Sequence, residues 1–338
     1  MSAGINLELL RSPDWLLAGF DVDPGVPGHG RYHLAQVTRQ TYQDSSFLDH
    51  RIQPMPTAKL TVNGLQVDEI LAPLPSRESA WIFHTGFCCS TLLASCLDNP
   101  GHTLVLREPL VLSRLAHAQR NTIRAGTEAL QAASRRVIGL CERSYPVESL
   151  LVKPSNFANR LLDDLFPAGQ SQSQRKAVLL TSSLDSLLVS ILKKQAEAET
   201  SLPAFVRSLL QDSDYAVQAG LGDTSQLNLL QLSVVFWHCQ RHFLQGRLEQ
   251  ADEGVFLPLS MERFLAEPEE VLNEVSAFLG LGLAPELLRQ TVQTGAFRRH
   301  SKQAGQAYDP EIQRQEHQAT LARFGSEIAA ALEWAKPL

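Results

Sequence analysis

The chain has little that would tie it to a polyanion, a membrane or an oxidising compartment. Over 338 residues it carries 30 Lys and Arg against 36 Asp and Glu, for a formal net charge of −6 and a pI near 5.9. No basic excess exists to build a nucleic-acid or anionic-lipid surface. No apolar run approaches the ~18 residues of a membrane span. The opening MSAGINLELLRSPDW lacks the hydrophobic stretch of a signal peptide, so no membrane span and a cytoplasmic location are expected. Five cysteines, at 88, 89, 96, 141 and 239, form an odd set without framework spacing, which points to free thiols in a reducing compartment. There is no G-x-S-x-G of a hydrolase and no internal repeat. In WHCQRHF, His238 and His242 stand four apart beside Cys239, but no Glu follows the first His as a metalloprotease needs. That helix is expected to turn Leu232, Val235, Phe236 and Phe243 to the core, and no metal is expected.

What is present is the composition of an ordinary globular protein, with 44% hydrophobic and 20% charged residues. Residues 1–75 read as an extension packed on the core. In it, LLAGFDVDPG (16–25) and RYHLAQV (31–37) have the short alternation of edge strands or a hairpin, and SSFLDHRI (45–52) reads as a helical turn. Residues 76–338 alternate. Apolar runs predict strands at 80–85, 103–107, 149–153, 176–181 and 255–260. Helical spacing covers 90–98, 111–141, 156–166, 184–199, 225–248, 268–279, 284–293 and 310–335. This order predicts an α/β fold, a parallel sheet flanked by helices, with its short apolar strands buried on both faces. PAGQSQSQ (167–174) reads as a polar connection, and the weakly periodic 200–224, with Gly220 and Gly222, as a mobile lid.

The most informative stretch is AWIFHTGFCCSTLLASCLD (80–98). It reads as a strand, a small-residue turn of Thr85, Gly86, Phe87, Cys88 and Cys89, and a helix opening with Ser90 and Thr91. That layout suits a phosphate-bearing ligand, because turn and first-turn amides lack intrachain partners and the helix dipole adds partial positive charge. The plain alternative is an ordinary strand-to-helix turn. The Lys of a Walker A loop is absent. A cysteine-dependent phosphatase would need an Arg six positions after its Cys, where this chain has Ala94 or Ser95. Cys88 and Cys89 therefore read as small residues filling the turn, and His84 as a hydrogen-bonded strand residue or a second acid/base.

Four segments in order resemble the sulfotransferase superfamily. STLLASCLDNPGHTLVLREPL (90–110) is similar to its phosphate loop, helix and following strand: Leu97 and Asp98 fit, Pro100 stands one place early, and Glu108 falls eighteen positions after Ser90, where the protein-tyrosine branch has its base. SLLVKPSNFANRLLDDLF (149–166) resembles the segment that delivers a Lys to the sulfuryl group, here Lys153. AVLLTSSLDSLLVS (177–190) resembles the 3′-phosphate segment, with Ser190 at its Ser. LSMERFLAEPEEVLNEVSAFLGL (259–281) resembles a C-terminal structural segment, and FRRHSKQAG (297–305) stands where the family has a basic loop over the nucleotide. The likeness covers about residues 80–305, and the N-terminal and loop patterns are similar to those of bacterial sulfotransferase-like proteins with a degenerate phosphate loop.

The resemblance implies a P-loop-type fold and transfer of a sulfuryl group from 3′-phosphoadenosine-5′-phosphosulfate (PAPS), with PAP as product and no metal, to a small-molecule or peptide acceptor. It implies Glu108 as base, Lys153 as stabiliser of the transferred group, Ser90 and Thr91 with the turn 85–89 at the 5′ end, and Ser190 with Arg298 or Lys302 at the 3′-phosphate. Glu108 could instead pair with Arg107 or cap the next helix. Three positions depart from the family: Phe87 replaces a basic residue, Cys89 a Gly, and Ser182 the Arg of the 3′-phosphate site. Either Arg107, Lys193, Lys194, Arg298 or Lys302 stands in, or activity is weak, or the ligand differs; Phe87 could stack on a ring. A non-catalytic nucleotide-binding scaffold and a P-loop phosphotransferase remain open alternatives.

Overall fold

The computed structural model describes residues 6–22, 30–56, 58–74, 79–121, 127–167, 175–212, 214–294, 297 and 310–338. Strands β1 (Trp15–Asp21), β2 (Arg31–Gln36) and β3 (Lys59–Asn63) form an antiparallel sheet in that order. Tyr32 lies opposite Phe20 on one side and Val62 on the other. The expected hairpin of β1 and β2 is present; β3 and the helix that follows it had no counterpart in the sequence reading. Helices α1 (Arg39–Asp44) and α2 (Gly64–Leu71) both open on a reciprocal cap, Thr38 with Thr41 and Asn63 with Gln66. Asn63 thus ends a strand and starts a helix. Residues 45–52 are not helical: Leu48 donates its amide to Arg107 O at 2.8 Å and accepts from the Leu110 amide at 3.1 Å, which ties this segment to the end of the 103–107 strand.

The second sheet carries β4 (Ala80–His84), β5 (Thr103–Arg107), β6 (Ser149–Lys153), β7 (Lys176–Thr181) and β8 (Phe256–Ser260) in the order β5-β6-β4-β7-β8. Every pairing in it is parallel. β4 and β5 are buried along their whole length, as unbroken apolar runs require. After β4 the chain skips to the edge strand β5 and returns inward to β6, then crosses to the other side of β4 for β7 and β8. The strand order reverses at β4, and the crevice at the carboxyl end of such a reversal is where open α/β sheets bind ligands.

The helices are α3 (Ser90–Leu97), α4 (Leu110–Asn121), α5 (Thr127–Cys141), α6 (Leu162–Leu165), α7 (Leu184–Leu192), α8 (Gln195–Leu209), α9 (Tyr215–Gln218), α10 (Leu229–Gln250), α11 (Met261–Ala266), α12 (Pro268–Leu279), α13 (Pro285–Thr294) and α14 (Pro310–Ala335). Three expectations differ. The 111–141 stretch is two helices, α4 and α5. The 156–166 stretch is a 3-10 turn, Asn156–Leu161, followed by α6. The 184–199 stretch divides at Lys193 and Lys194 into α7 and α8. The expected lid at 200–224 is helical through much of its length, and Leu202, Val206, Leu209 and Tyr215 are buried in a cluster with Val235 and Phe236 of α10. All five cysteines are free thiols. No helix among the described residues is long and apolar enough to cross a membrane.

One apolar cluster joins Tyr32 and Tyr42 of the N-terminal segment to Trp81, Phe83 and Leu104 of the parallel sheet. On the other face, Ile82, Leu93 and Val105 pack with Val271 and Leu272 of α12. A polar tie reinforces the first junction. Arg39 of α1 binds Asp98 at 2.7 Å and Glu148 at 2.9 Å, and both carboxylates are buried. Burial pushes the Asp98 carboxyl above its usual range, against the pull of Arg107 and Arg39. Removing one partner of a buried pair leaves an uncompensated charge, at a cost of about 3 kcal/mol or more. Arg39→Met is therefore expected to lose about 3 kcal/mol of stability at neutral pH in denaturant unfolding. The deficit should shrink as acid protonates the stranded carboxylates; one under about 1 kcal/mol would mean this tie is peripheral.

Candidate functional site

In sheet order, the carboxyl ends of the five parallel strands deliver Glu108 after β5, Lys153 at the end of β6, the turn 85–89 after β4, Ser182 and Ser183 after β7, and Glu262 just past β8. Arg107 pairs with Lys153 in the β5–β6 register, and the Glu108 amide donates to Lys153 O at 2.6 Å. The side chains of Lys153 and Glu108 then close an ion pair. The Lys153 side chain is 0% exposed, and its Nζ also lies 3.5 Å from Thr91 Oγ1 of α3. An ammonium taken fully out of water costs several kcal/mol unless paired and hydrogen-bonded, so this one demands Glu108. Arg107 does not serve as the Glu108 partner. Its guanidinium turns the other way, to Ser95 Oγ at 3.0 Å, Gln43 O at 2.9 Å and Asp98 at 3.2 Å.

Backbone strain collects at the same edge. Phe87, Cys89 and Glu108 are the non-glycine residues with positive φ among those described, at 59°, 59° and 49°. Such conformations cost of order 1–3 kcal/mol each and persist only where surroundings enforce them. Cys89 precedes α3 in this left-handed form and gives the helix no side-chain cap. By contrast α1, α2, α10 and α11 are capped by Thr38, Asn63, Asn228 and Ser260. Ser90 and Thr91, in the first turn of α3, are buried.

The turn itself is partly tied down, which the sequence did not suggest. The Gly86 amide donates to Gln240 Oε1 at 2.9 Å rather than standing open to a ligand. Gln240 also accepts from Asn156 Nδ2 at 2.9 Å and donates to Phe236 O at 2.7 Å, so α10 holds the turn from below. The Thr85 amide donates to Leu180 O at 3.0 Å, and Thr85 Oγ1 accepts from the Ser182 amide at 3.3 Å. His84 is a strut, its ring nitrogens 2.7 Å from Thr85 O and 3.1 Å from Pro154 O. Cys88 donates its thiol to Thr85 O at 2.9 Å, and burial pushes its pKa up to about 11, so it is no nucleophile at neutral pH. Phe87 is half-buried against the cluster of α8 and α10.

The remaining sequence candidates are spread out. Ser190 lies in the second turn of α7, and its hydroxyl donates to Ser186 O at 2.9 Å. Lys193 reaches Glu316 at 3.4 Å. Arg298, Arg299 and Lys302 fall outside the described residues. His238 stacks on Tyr215, and His242 lies 3.2 Å from Asp214. No group of three or more His, Cys, Asp or Glu able to hold a metal occurs among the described residues.

Five contributors went unread in the sequence. Gln240 is buried at a core position of α10, and a polar residue at apolar spacing was the available signal. Ser183 and Ser186 open α7, where Glu262 binds them. Arg51 lies over the Phe47 ring at 3.8 Å; its hydrogen bond to Asp49 holds its guanidinium above the usual range, with Glu108 adding in the same direction. The N-terminal segment therefore reaches the Glu108 side of the edge.

Fold and site together define a parallel α/β protein with an uncapped helix and a buried cation–carboxylate pair at its switch point. No family model matches the chain, and no curated protein matches it. Among solved structures it is similar to the sulfotransferase domain from the curacin biosynthetic pathway, at 15% identity over 75% of this chain and 98% of that one, with a TM-score of 0.40. It is also similar to a sulfotransferase from Alicyclobacillus acidocaldarius (12% identity, 75% of this chain and 97% of that one, TM-score 0.39). A third is sulfotransferase STF9 from Mycobacterium avium (10% identity, 77% of this chain and 80% of that one, TM-score 0.39). Likeness at this level assigns no role to any residue.

A Cβ on Gly86 would stand 2.8 Å from Phe236 Cε1, too close for any real contact, whereas one on Gly246 in α10 meets nothing. Gly86→Ala is expected to cost about 1–3 kcal/mol through overpacking. Gly246→Ala should stabilise by about 0.5–1 kcal/mol. Parallel thermal unfolding of the two variants checks both signs, and equal effects would contradict the packing of α10 under the turn.

Proposed function

We propose that the chain transfers a sulfuryl group from PAPS to a hydroxyl or amine acceptor, with Glu108 as base and Lys153 balancing charge on the transferred group. The observation that carries this reading is the pair of a fully buried ammonium with a glutamate in left-handed backbone, beside a first-turn hydroxyl of the uncapped helix α3. These groups fit the 5′ end of such a donor: a desolvated cation, two hydroxyls and a helix N-terminus all favour an anion. When bound, PAPS supplies an activated sulfuryl group whose departure leaves extra negative charge on phosphate oxygen.

The chain's own residues then divide the work. The first turn of α3, with Ser90 and Thr91, binds the anionic 5′ end. The Lys153 ammonium, already within reach of Thr91, moves its charge from Glu108 toward that anion. Glu108, partly exposed in the crevice, is released to take the proton of the acceptor hydroxyl or amine. Until the donor arrives, the two groups compensate each other. Ser182, Ser190, Arg298 and Lys302 are the residues that the sequence resemblance assigns to the 3′-phosphate. A small molecule or a peptide would be the acceptor.

A second reading, nucleotide binding without transfer, is favoured by the Gly86 amide, which Gln240 already occupies. Turnover separates the two. In a sulfuryl-transfer assay, Glu108→Gln is expected to lower kcat by about 10²-fold or more while PAP binding survives. Lys153→Met, which keeps the side-chain volume, should lose transfer and also weaken PAP binding. Unfolding midpoints are measured alongside, since each change strands a partner. Unchanged rates in both variants would overturn the assignment of roles.

A further inference from the structure

The N-terminus of α7 stands beside that of α3 at the same sheet edge, and it already holds an anion. Glu262 Oε1 accepts from the Ser183 amide at 3.0 Å, from the Ser183 hydroxyl at 2.8 Å and from the Ser186 hydroxyl at 3.1 Å. Ser183 occupies the N-cap position of α7 but gives the helix no side-chain cap. Its hydroxyl faces Glu262 instead. Three donors thus converge on one carboxylate oxygen at the positive end of a nine-residue helix.

A second observation marks the same place. Ser182, the preceding residue, is 2% exposed, and its Oγ is a buried hydroxyl without a hydrogen-bond partner. Its amide meets Thr85 Oγ1, so the residue links the turn before α3 to the start of α7. A buried hydroxyl left unpaired costs about 1–3 kcal/mol, which a ligand oxygen would relieve.

Glu262 is charged, and among the described residues it has no cation of its own. Burial acts to raise its pKa, but the hydrogen bonds from Ser183 and Ser186 outweigh burial and hold the carboxyl below its usual range. Arg263, next in the chain, turns to Glu274 at 2.6 Å and to Glu267 and Glu270 at 3.5 Å. Among the described residues no cation pairs with Glu262. The residue is also exposed on its outer side, and α11 is capped by Ser260 independently of it. Its side chain is therefore free to swing to water without unwinding the helix.

We propose that Glu262 is an internal stand-in for the second phosphate of the donor: it fills the anion position on α7, and a nucleotide must displace it to engage both helix N-termini. The proposal rests on the reading of the α3 edge as the site of the donor's 5′ end. A nucleotide whose only anionic group is at the 5′ end leaves Glu262 in place. A 3′-phosphorylated nucleotide meets a like charge there and binds only as Glu262 leaves. Glu262 thereby sets how strongly the site distinguishes nucleotides with and without a 3′-phosphate.

PAP and 5′-AMP differ only in that phosphate, so their ratio of dissociation constants isolates the effect. Both are titrated by calorimetry into the full chain and into Glu262→Gln and Glu262→Ala. The amide of the first variant keeps the acceptor geometry and removes the charge; the second removes both. The expected result is unchanged 5′-AMP affinity and at least a ten-fold gain in preference for PAP in both variants. An unchanged or reduced preference with 5′-AMP still bound would overturn the role of Glu262 and leave the α3 site standing. Binding of neither nucleotide to any of the three proteins would overturn both readings.

Discussion

The ion pair of Lys153 with Glu108 is the interaction on which the rest of the site depends. Parallel pairing of β5 with β6 puts Arg107 level with Lys153, and only Glu108 and Pro109 then separate β5 from α4. Arg107 goes to the buried network of Asp98, while Glu108 takes left-handed backbone and turns to the ammonium. Neither partner is tolerable alone. A fully buried ammonium without Glu108 would be an uncompensated charge, and the strain at Glu108 persists because that pairing and its amide bond to Lys153 O hold it. The two strands and the first turn of α3 are thereby fixed relative to one another at the carboxyl edge of the sheet.

The parallel sheet was legible because its strands are buried on both faces. A continuous apolar run such as TLVLR or SLLVK needs no periodicity to be found, and the 103–107, 149–153 and 176–181 strands have the expected limits. Elements with mixed burial were not legible. β3 buries only Val62 fully, and Asn63 serves strand and helix at once, which hid the boundary. Pro203 lies inside α8, where a proline in an apparently aperiodic stretch reads as a loop. Packing on α10 overrides that preference.

The site was legible at its strand ends and not beyond them. Glu108 and Lys153 each end an apolar strand, so either could be singled out by position. Their contact could not be read, since 45 residues separate them and only the sheet order makes their strands neighbours. Gln240 and Glu262 lie further still, on helices that reach the edge from opposite flanks of the fold. Their effect is to fill positions that an open phosphate loop would leave to ligand: Gln240 takes the Gly86 amide, and Glu262 takes the start of α7. At the first turn of α3, Ser90 is hydrogen-bonded to the Cys88 thiol and Thr91 stands beside the buried cation. The polar edge is therefore graded, with compensated charge toward β5 and β6 and an internal anion toward β7 and β8.

Under the proposed function this cation-bearing edge takes the 5′ end of an anionic nucleotide, with protein groups balancing its charge. The most direct measurement is a calorimetric titration of the full chain with PAP and with ATP, each without and with magnesium. Saturable PAP binding that is indifferent to magnesium, and no binding of ATP, is the expected result. Absence of PAP binding, or ATP binding that appears only with magnesium, would contradict it.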